Sequence, residues 1–199
     1  FPYEASDALY SALATLPALE SIKLSNCGLQ TQEDGSALAY PESLTELLRV
    51  PSLRSVCFGR FYFTRALCQA TANALIEGTA VTTLEFLSCS FSTVECGVMM
   101  ANGLRRNTSV TSIMVECDEA LALFSALAAA LPSNSTLRNL ELWADWTMRM
   151  TPTALSAIYS ALGRNTGLKS LKVDCCDAMD ESLCIAMKNG LGTNETLES

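Results

Sequence analysis

The stretch NSTLRNLELWADW, residues 134–146, contains the phrase LRNLEL and both tryptophans of the chain. Similar phrases recur along the sequence: LESIKL at 19, LRSVCF at 53, VTTLEF at 81, VTSIMV at 110, LKSLKV at 168 and a final LES at 197. Successive phrases begin 27 to 34 residues apart. A period of this size is typical of repeat proteins, in which each unit covers the apolar face of its neighbour.

Each phrase has the alternation of a short β-strand, because apolar residues occupy its fourth and sixth positions, as Leu140 and Leu142 do. We expect parallel strands in one sheet near residues 21–25, 55–59, 83–87, 112–116, 139–143 and 170–174. Apolar residues at helical spacing precede each phrase and end in a leucine six residues before it. These leucines are Leu13, Leu47, Leu75, Leu104, Leu131, Leu162 and Leu191. The sequence therefore predicts one helix and one strand per repeat.

Later repeats place an asparagine between helix and strand, at Asn107, Asn134, Asn165 and Asn194. Because asparagine tolerates the left-handed conformation, we expect these residues to end their helices in that conformation. Three of the four also match the glycosylation sequon N-x-S/T. The repeat consensus itself produces this match, so we do not predict glycosylation.

The pattern L-x-x-L-x-L, followed by a cysteine-type position and alternating with a helix and N-x-T/S-L, resembles the ribonuclease-inhibitor-like class of leucine-rich repeats. The resemblance covers residues 1–199 as a single domain, which we expect to be a piece of a longer protein. It implies an α/β solenoid shaped like a horseshoe, with parallel strands on the concave side and helices on the convex side. The array would hold six to seven repeats of 27 to 34 residues.

The cysteine-type position of the resemblance is occupied by Cys27, Phe61, Cys89, Asp118, Asp145 and Cys176. Phe61, Asp118 and Asp145 depart from the consensus, so the resemblance does not define the loop conformation after those strands.

The composition restricts the classes of function. The 13 basic and 21 acidic residues give a net charge of −8, which argues against nucleic acid or an anionic membrane and favours a basic protein partner. The chain has no histidine, the commonest general base and metal ligand. It also has no P-loop and no nucleophile elbow. We therefore expect no enzyme activity, no cofactor, no metal site and no small-molecule substrate.

The nine cysteines are odd in number, and most lie among apolar residues. This pattern favours reduced, buried thiols in a cytoplasmic protein rather than a disulfide framework. Cys27, Cys89 and Cys176 are expected at an inward repeat position, and Cys68 and Cys184 on the buried helix stripe. No apolar run reaches the roughly 18 to 20 residues of a membrane span.

Alternate side chains of a strand leave opposite faces, so the residues between the buried ones should point into the concavity. A first column just before the last apolar residue of each phrase reads Lys23, Cys57, Glu85, Met114, Glu141 and Lys172. A second column just after it reads Ser25, Gly59, Leu87, Glu116, Trp143 and Asp174. Together they predict an apolar centre with an acidic rim, formed by Glu85, Leu87, Met114, Glu116, Glu141, Trp143, Trp146 and Asp174.

This composition favours a non-catalytic interaction module, a scaffold or receptor-type domain that binds a protein on its concave face. Other interpretations stay open. Trp143 and Trp146 as core residues, and the carboxylates as a solvated acidic face, explain the same residues. A second class of function is a GTPase-activating or other regulatory leucine-rich repeat protein, in which Arg60 would stabilise the charge of phosphoryl transfer.

Overall fold

The computed structural model describes residues 3–25, 41–116, 121–143, 152–174 and 180–198. The helices are α1 (Tyr3–Ala14), α2 (Pro41–Leu48), α3 (Arg65–Glu77), α4 (Val94–Arg106), α5 (Leu121–Ala130), α6 (Pro152–Leu162) and α7 (Glu181–Thr193). The strands are β1 (Ser21–Ser25), β2 (Ser55–Gly59), β3 (Tyr62–Phe63), β4 (Thr83–Leu87), β5 (Ser90–Phe91), β6 (Ser112–Glu116), β7 (Asn139–Trp143) and β8 (Ser170–Asp174). None of these helices is long and apolar enough to cross a membrane.

Six of the strands form one parallel sheet in the order β1-β2-β4-β6-β7-β8. The register is the same at every step, so that Leu84 pairs with Ile113 and Ile113 with Leu140. All six predicted strands are confirmed, with the predicted ends. The register is fixed because a shift of one residue would move every buried side chain to the opposite face.

Two short strands, β3 and β5, were not predicted. They pair with each other in parallel, beyond the ends of β2 and β4. Phe61 and Cys89 occupy equivalent positions before them, and both are buried. The departure at Phe61 therefore does not change the loop, because a buried phenylalanine fills the position that Cys89 fills one repeat later. The other two departures lie outside the described residues: Asp118 and Asp145.

The helices cover one face of the sheet, and the apolar core lies between the two layers. The leucine six residues before each phrase is buried in five repeats, at Leu47, Leu75, Leu104, Leu131 and Leu162. Leu13 is partly buried. Leu191 is 43% exposed, so the prediction fails for α7. Gly190 faces α6 instead, at a point where a Cβ atom would overlap the carbonyl of Tyr159. No other described helix covers the far side of α7.

The asparagines between helix and strand do not adopt the left-handed conformation. Asn107, Asn134 and Asn194 have φ of −71°, −90° and −80° with ψ of 140°, 117° and 125°, which is extended backbone. The expectation of a left-handed helix end is therefore wrong. The reason for asparagine at this position lies in its side chain, which bonds to the preceding repeat.

Each of these side chains joins two repeats. The Asn134 amide donates to the carbonyl of Leu104, 2.6 Å away at the end of α4, and its Oδ1 accepts from the N–H groups of Thr136 and Leu137 at 3.0 and 2.8 Å. Asn107, Asn165 and Asn194 make the same kinds of bond. A planar amide suits this role because it carries a donor and an acceptor in one group. Asn107 and Asn134 are buried.

Candidate functional site

The face of the sheet opposite the helices carries the two predicted columns of side chains. The strand register aligns the first column as Lys23, Cys57, Glu85, Met114, Glu141 and Lys172. It aligns the second as Ser25, Gly59, Leu87, Glu116, Trp143 and Asp174. The predicted alignment is confirmed. We call the surface formed by these twelve residues the open face, since no described helix lies over it.

Seven of the eight predicted site residues lie on the open face. Six of them occupy three neighbouring strands: Glu85 and Leu87 on β4, Met114 and Glu116 on β6, and Glu141 and Trp143 on β7. Glu116 and Asp174 are exposed, and the other five are partly exposed. Asp174 on β8 pairs with Trp143 in the register. The eighth residue, Trp146, lies outside the described residues.

Trp143 is partly exposed and does not belong to the buried core cluster. Its indole N–H donates to Oε2 of Glu141 at 3.3 Å. The ammonium of Lys172, on the next strand, lies 4.0 Å from the centre of the indole ring, within the range of a cation–π contact. These contacts hold the ring on the open face. Lys172 was missing from the predicted site, although its place in the first column beside Glu141 was visible in the sequence.

Cys57 lies between Lys23 and Glu85 in the first column and is only 8% exposed. Burial, and then the neighbouring Glu85 carboxylate, raise the pKa of its thiol to about 11. A thiol with this pKa is almost wholly protonated at neutral pH, so Cys57 is a poor nucleophile. It contributes an apolar surface to the open face rather than reactivity.

We expect iodoacetamide to alkylate Cys57 in the folded protein at least about tenfold more slowly than the exposed Cys184, because the raised pKa of Cys57 leaves little of its thiolate and burial restricts access to it. Glu85→Gln should speed alkylation of Cys57, since it removes the carboxylate that disfavours the thiolate, and should leave Cys184 unchanged. Peptide mass spectrometry over a time course near pH 8 measures both rates. Equal rates at the two cysteines would contradict the raised pKa.

The described cysteines are free thiols: Cys57, Cys68, Cys89, Cys96 and Cys184. Cys68 is buried on α3, and that burial raises its pKa. Burial also acts to raise the pKa of Cys96, but hydrogen bonds from Ser92, Thr93 and Cys68 outweigh it and lower the pKa. Cys184 is exposed, so its predicted place on the buried helix stripe is wrong. The neighbouring Leu183 is buried there instead.

Arg60 follows β2 and is exposed, with a positive φ of 50°. Its backbone N–H donates to the carbonyl of Leu87 at 2.7 Å. Ser88 occupies the same place one repeat later, with φ of 51° and an N–H bonded to the carbonyl of Glu116. The left-handed turn is thus a property of the repeat and does not require an arginine side chain.

No protein-family profile matches the sequence, and no curated protein matches it. Among solved structures, the actin-binding site 2 of leiomodin-1 superimposes with a TM-score of 0.44 at 13% identity, over 96% of this chain and 91% of that one. The tropomodulin C-terminal domain of Caenorhabditis elegans gives a TM-score of 0.40 at 9% identity, over 96% and 95%. TM-scores below 0.5 do not establish a common fold, so neither protein's properties are transferred to this chain.

Proposed function

We propose that this chain is a non-catalytic protein–protein interaction module, and that its open face binds a partner protein with a basic surface. The observation that carries the proposal is the cluster on β4, β6 and β7, where three carboxylates and three apolar side chains lie together and no helix of the described residues covers them. Apolar side chains left accessible and rimmed by polar groups are typical of protein-binding surfaces.

The charge of the open face supports a basic partner. It carries four carboxylates (Glu85, Glu116, Glu141 and Asp174) and two ammonium groups (Lys23 and Lys172), which gives 2 − 4 = −2. Lys172 lies against the Trp143 ring. In the two columns, neither Glu85 nor Glu116 has a cation on an adjacent strand. The chain as a whole has a net charge of −8, so long-range attraction also favours a cationic protein.

The proposal includes the finer assignment of the fold. In-register strands, one helix per main strand and the buried cysteine-type position at Cys89 support a leucine-rich repeat solenoid of the ribonuclease-inhibitor-like class. In such a horseshoe the open face is the concave side, which is the surface that we propose binds the partner. The free thiols of the described cysteines support a reducing, cytoplasmic location.

Charge reversal tests the proposed surface. Glu116→Lys, at the exposed centre of the open face, should slow association with a basic partner by about threefold or more at low salt and weaken the salt dependence, while changing dissociation less. The matched control is Glu46→Lys, an exposed carboxylate on α2 with the same change in net charge. The partner is purified after capture by the immobilised wild-type chain, and surface plasmon resonance measures both rates.

Equal effects of the two reversals would mean that only the net charge matters, and the open face would then be a solvated acidic surface. Circular dichroism of both variants checks that the fold is unchanged. A partner that binds each variant as it binds the wild type would exclude the open face as the binding surface.

A further inference from the structure

On β4, β6 and β7 of the open face, carboxylates and apolar side chains alternate both along each strand and from one strand to the next. Along β4 the first column has Glu85 and the second has Leu87. On β6 the order is reversed, with Met114 first and Glu116 second, and on β7 it returns to Glu141 and Trp143. The six residues form a checkerboard, three strands wide and two columns deep.

The checkerboard ends on both sides. On β2 the two columns hold the nearly buried Cys57 and Gly59, and on β8 they hold Lys172 and Asp174. Lys172 is a cation at the position where the alternation would require an apolar side chain, so the pattern does not continue onto β8. The patterned surface is therefore limited to β4, β6 and β7.

We propose that the open face binds a basic amphipathic α-helix of the partner protein, laid across the strands, and that the checkerboard selects the spacing of its cations. This inference rests on the proposed function, that the open face binds a basic partner. It adds the secondary structure, the orientation and the sequence pattern of the bound segment.

The spacing of the strands favours a helix. Neighbouring strands lie about 4.8 Å apart, and one helical turn advances about 5.4 Å, so the mismatch is about 0.6 Å per strand. An extended segment repeats on one side about every 6.8 Å, which gives a mismatch of about 2 Å per strand. A polyproline helix repeats about every 9.3 Å and would contact only every second strand, leaving β6 unmatched. Of these three conformations, only the α-helix keeps contact with all three strands.

The pattern of the ligand follows from the checkerboard. One row of the helix, at positions i, i+4 and i+7, lies over the first column and should read cation, apolar, cation to match Glu85, Met114 and Glu141. The adjacent row, at i+1, i+5 and i+8, should read apolar, cation, apolar. Each cation then meets a carboxylate, and each apolar residue meets Leu87, Met114 or Trp143.

Two peptides of identical composition test this pattern. The checkered peptide carries Lys at i, i+5 and i+7 and Leu at i+1, i+4 and i+8. The striped peptide exchanges i+4 and i+5, so that one row is all Lys and the other all Leu. Both are placed in an alanine-rich helix of about 16 residues, and circular dichroism confirms equal helicity. Calorimetric titration against the full chain should give about tenfold tighter binding of the checkered peptide.

A paired exchange in the protein should reverse this preference. Met114→Glu combined with Glu116→Met keeps the composition and net charge but converts the checkerboard into one acidic and one apolar column. This variant should favour the striped peptide. Glu116→Gln is a smaller change that should reduce the preference of the chain for the checkered peptide. This variant replaces the paired exchange as the test if the paired exchange unfolds the protein.

The outcomes separate the two proposals. Equal binding of the two peptides, or tighter binding of a Lys-Pro polyproline peptide, would overturn the helix inference. If Glu116→Lys still slows association of the captured partner, the proposed function stands without the helix. If neither peptide binds and Glu116→Lys also leaves the association rate of the captured partner unchanged, both proposals are wrong. A preference for the checkered peptide that reverses in the exchanged variant supports both.

Discussion

Replacing Asn165 with alanine is expected to lower the free energy of unfolding by about 4 kcal/mol. The Asn165 side chain is buried and makes four hydrogen bonds, donating to the carbonyls of Leu131 and Asn134 at 2.6 and 2.9 Å and accepting from the N–H groups of Gly167 and Leu168 at 3.0 and 2.7 Å. Alanine removes these partners from backbone groups that water does not reach. Each unsatisfied buried group costs about 1 to 3 kcal/mol.

Asn73→Ala is the matched control for Asn165→Ala. Asn73 lies exposed on α3, where its Oδ1 accepts from Gln69 of the same helix at 2.8 Å. Its replacement should change the free energy of unfolding by no more than about 0.5 kcal/mol, because water replaces the lost partner. Urea titration followed by fluorescence and by circular dichroism measures both variants. Similar small losses for the two would show that the buried asparagines do not hold neighbouring repeats together.

The second large effect concerns Trp143. If the open face binds the partner, Trp143→Ala should weaken that binding by about 2 kcal/mol or more, about thirtyfold in affinity, as the loss of a central aromatic anchor does. Stability should change by less than about 1 kcal/mol, because the ring is partly exposed and outside the buried core, so its removal leaves no closed cavity. Calorimetric titration with the captured partner and urea unfolding give the two numbers on one variant.

The core interpretation of Trp143 predicts the opposite pair of results. A buried tryptophan truncated to alanine costs about 3 to 5 kcal/mol of stability. Lys172→Met is a useful companion, because it removes the cation above the ring and keeps most of the length of the side chain. It should leave partner affinity unchanged or increase it, since the indole face becomes free for an apolar side chain of the partner. Strong destabilisation by Trp143→Ala with unchanged affinity would exclude the proposed role.

The placement of the site residues followed from the sequence to a large extent. A strand period of two and a repeat length near 28 suffice to assign each residue to a face and a column, so Glu85, Met114 and Glu141 were aligned before any contact was known. The contacts that these side chains make could not be predicted from the sequence. Which side chain lies on which depends on rotamers and on neighbours one repeat away, as with Lys172 on Trp143.

The sequence by itself determined the six parallel strands, their ends and, except on α7, the apolar positions that face the core, because these depend on a periodicity that the repeats share. Only the tertiary structure decided the conformation and purpose of the asparagines. Local preference predicts a left-handed residue, yet Asn134 is extended because its amide bonds to the carbonyl of Leu104, 30 residues away. A hydrogen bond between repeats outweighs a local backbone preference, and it exists only once the repeats are stacked.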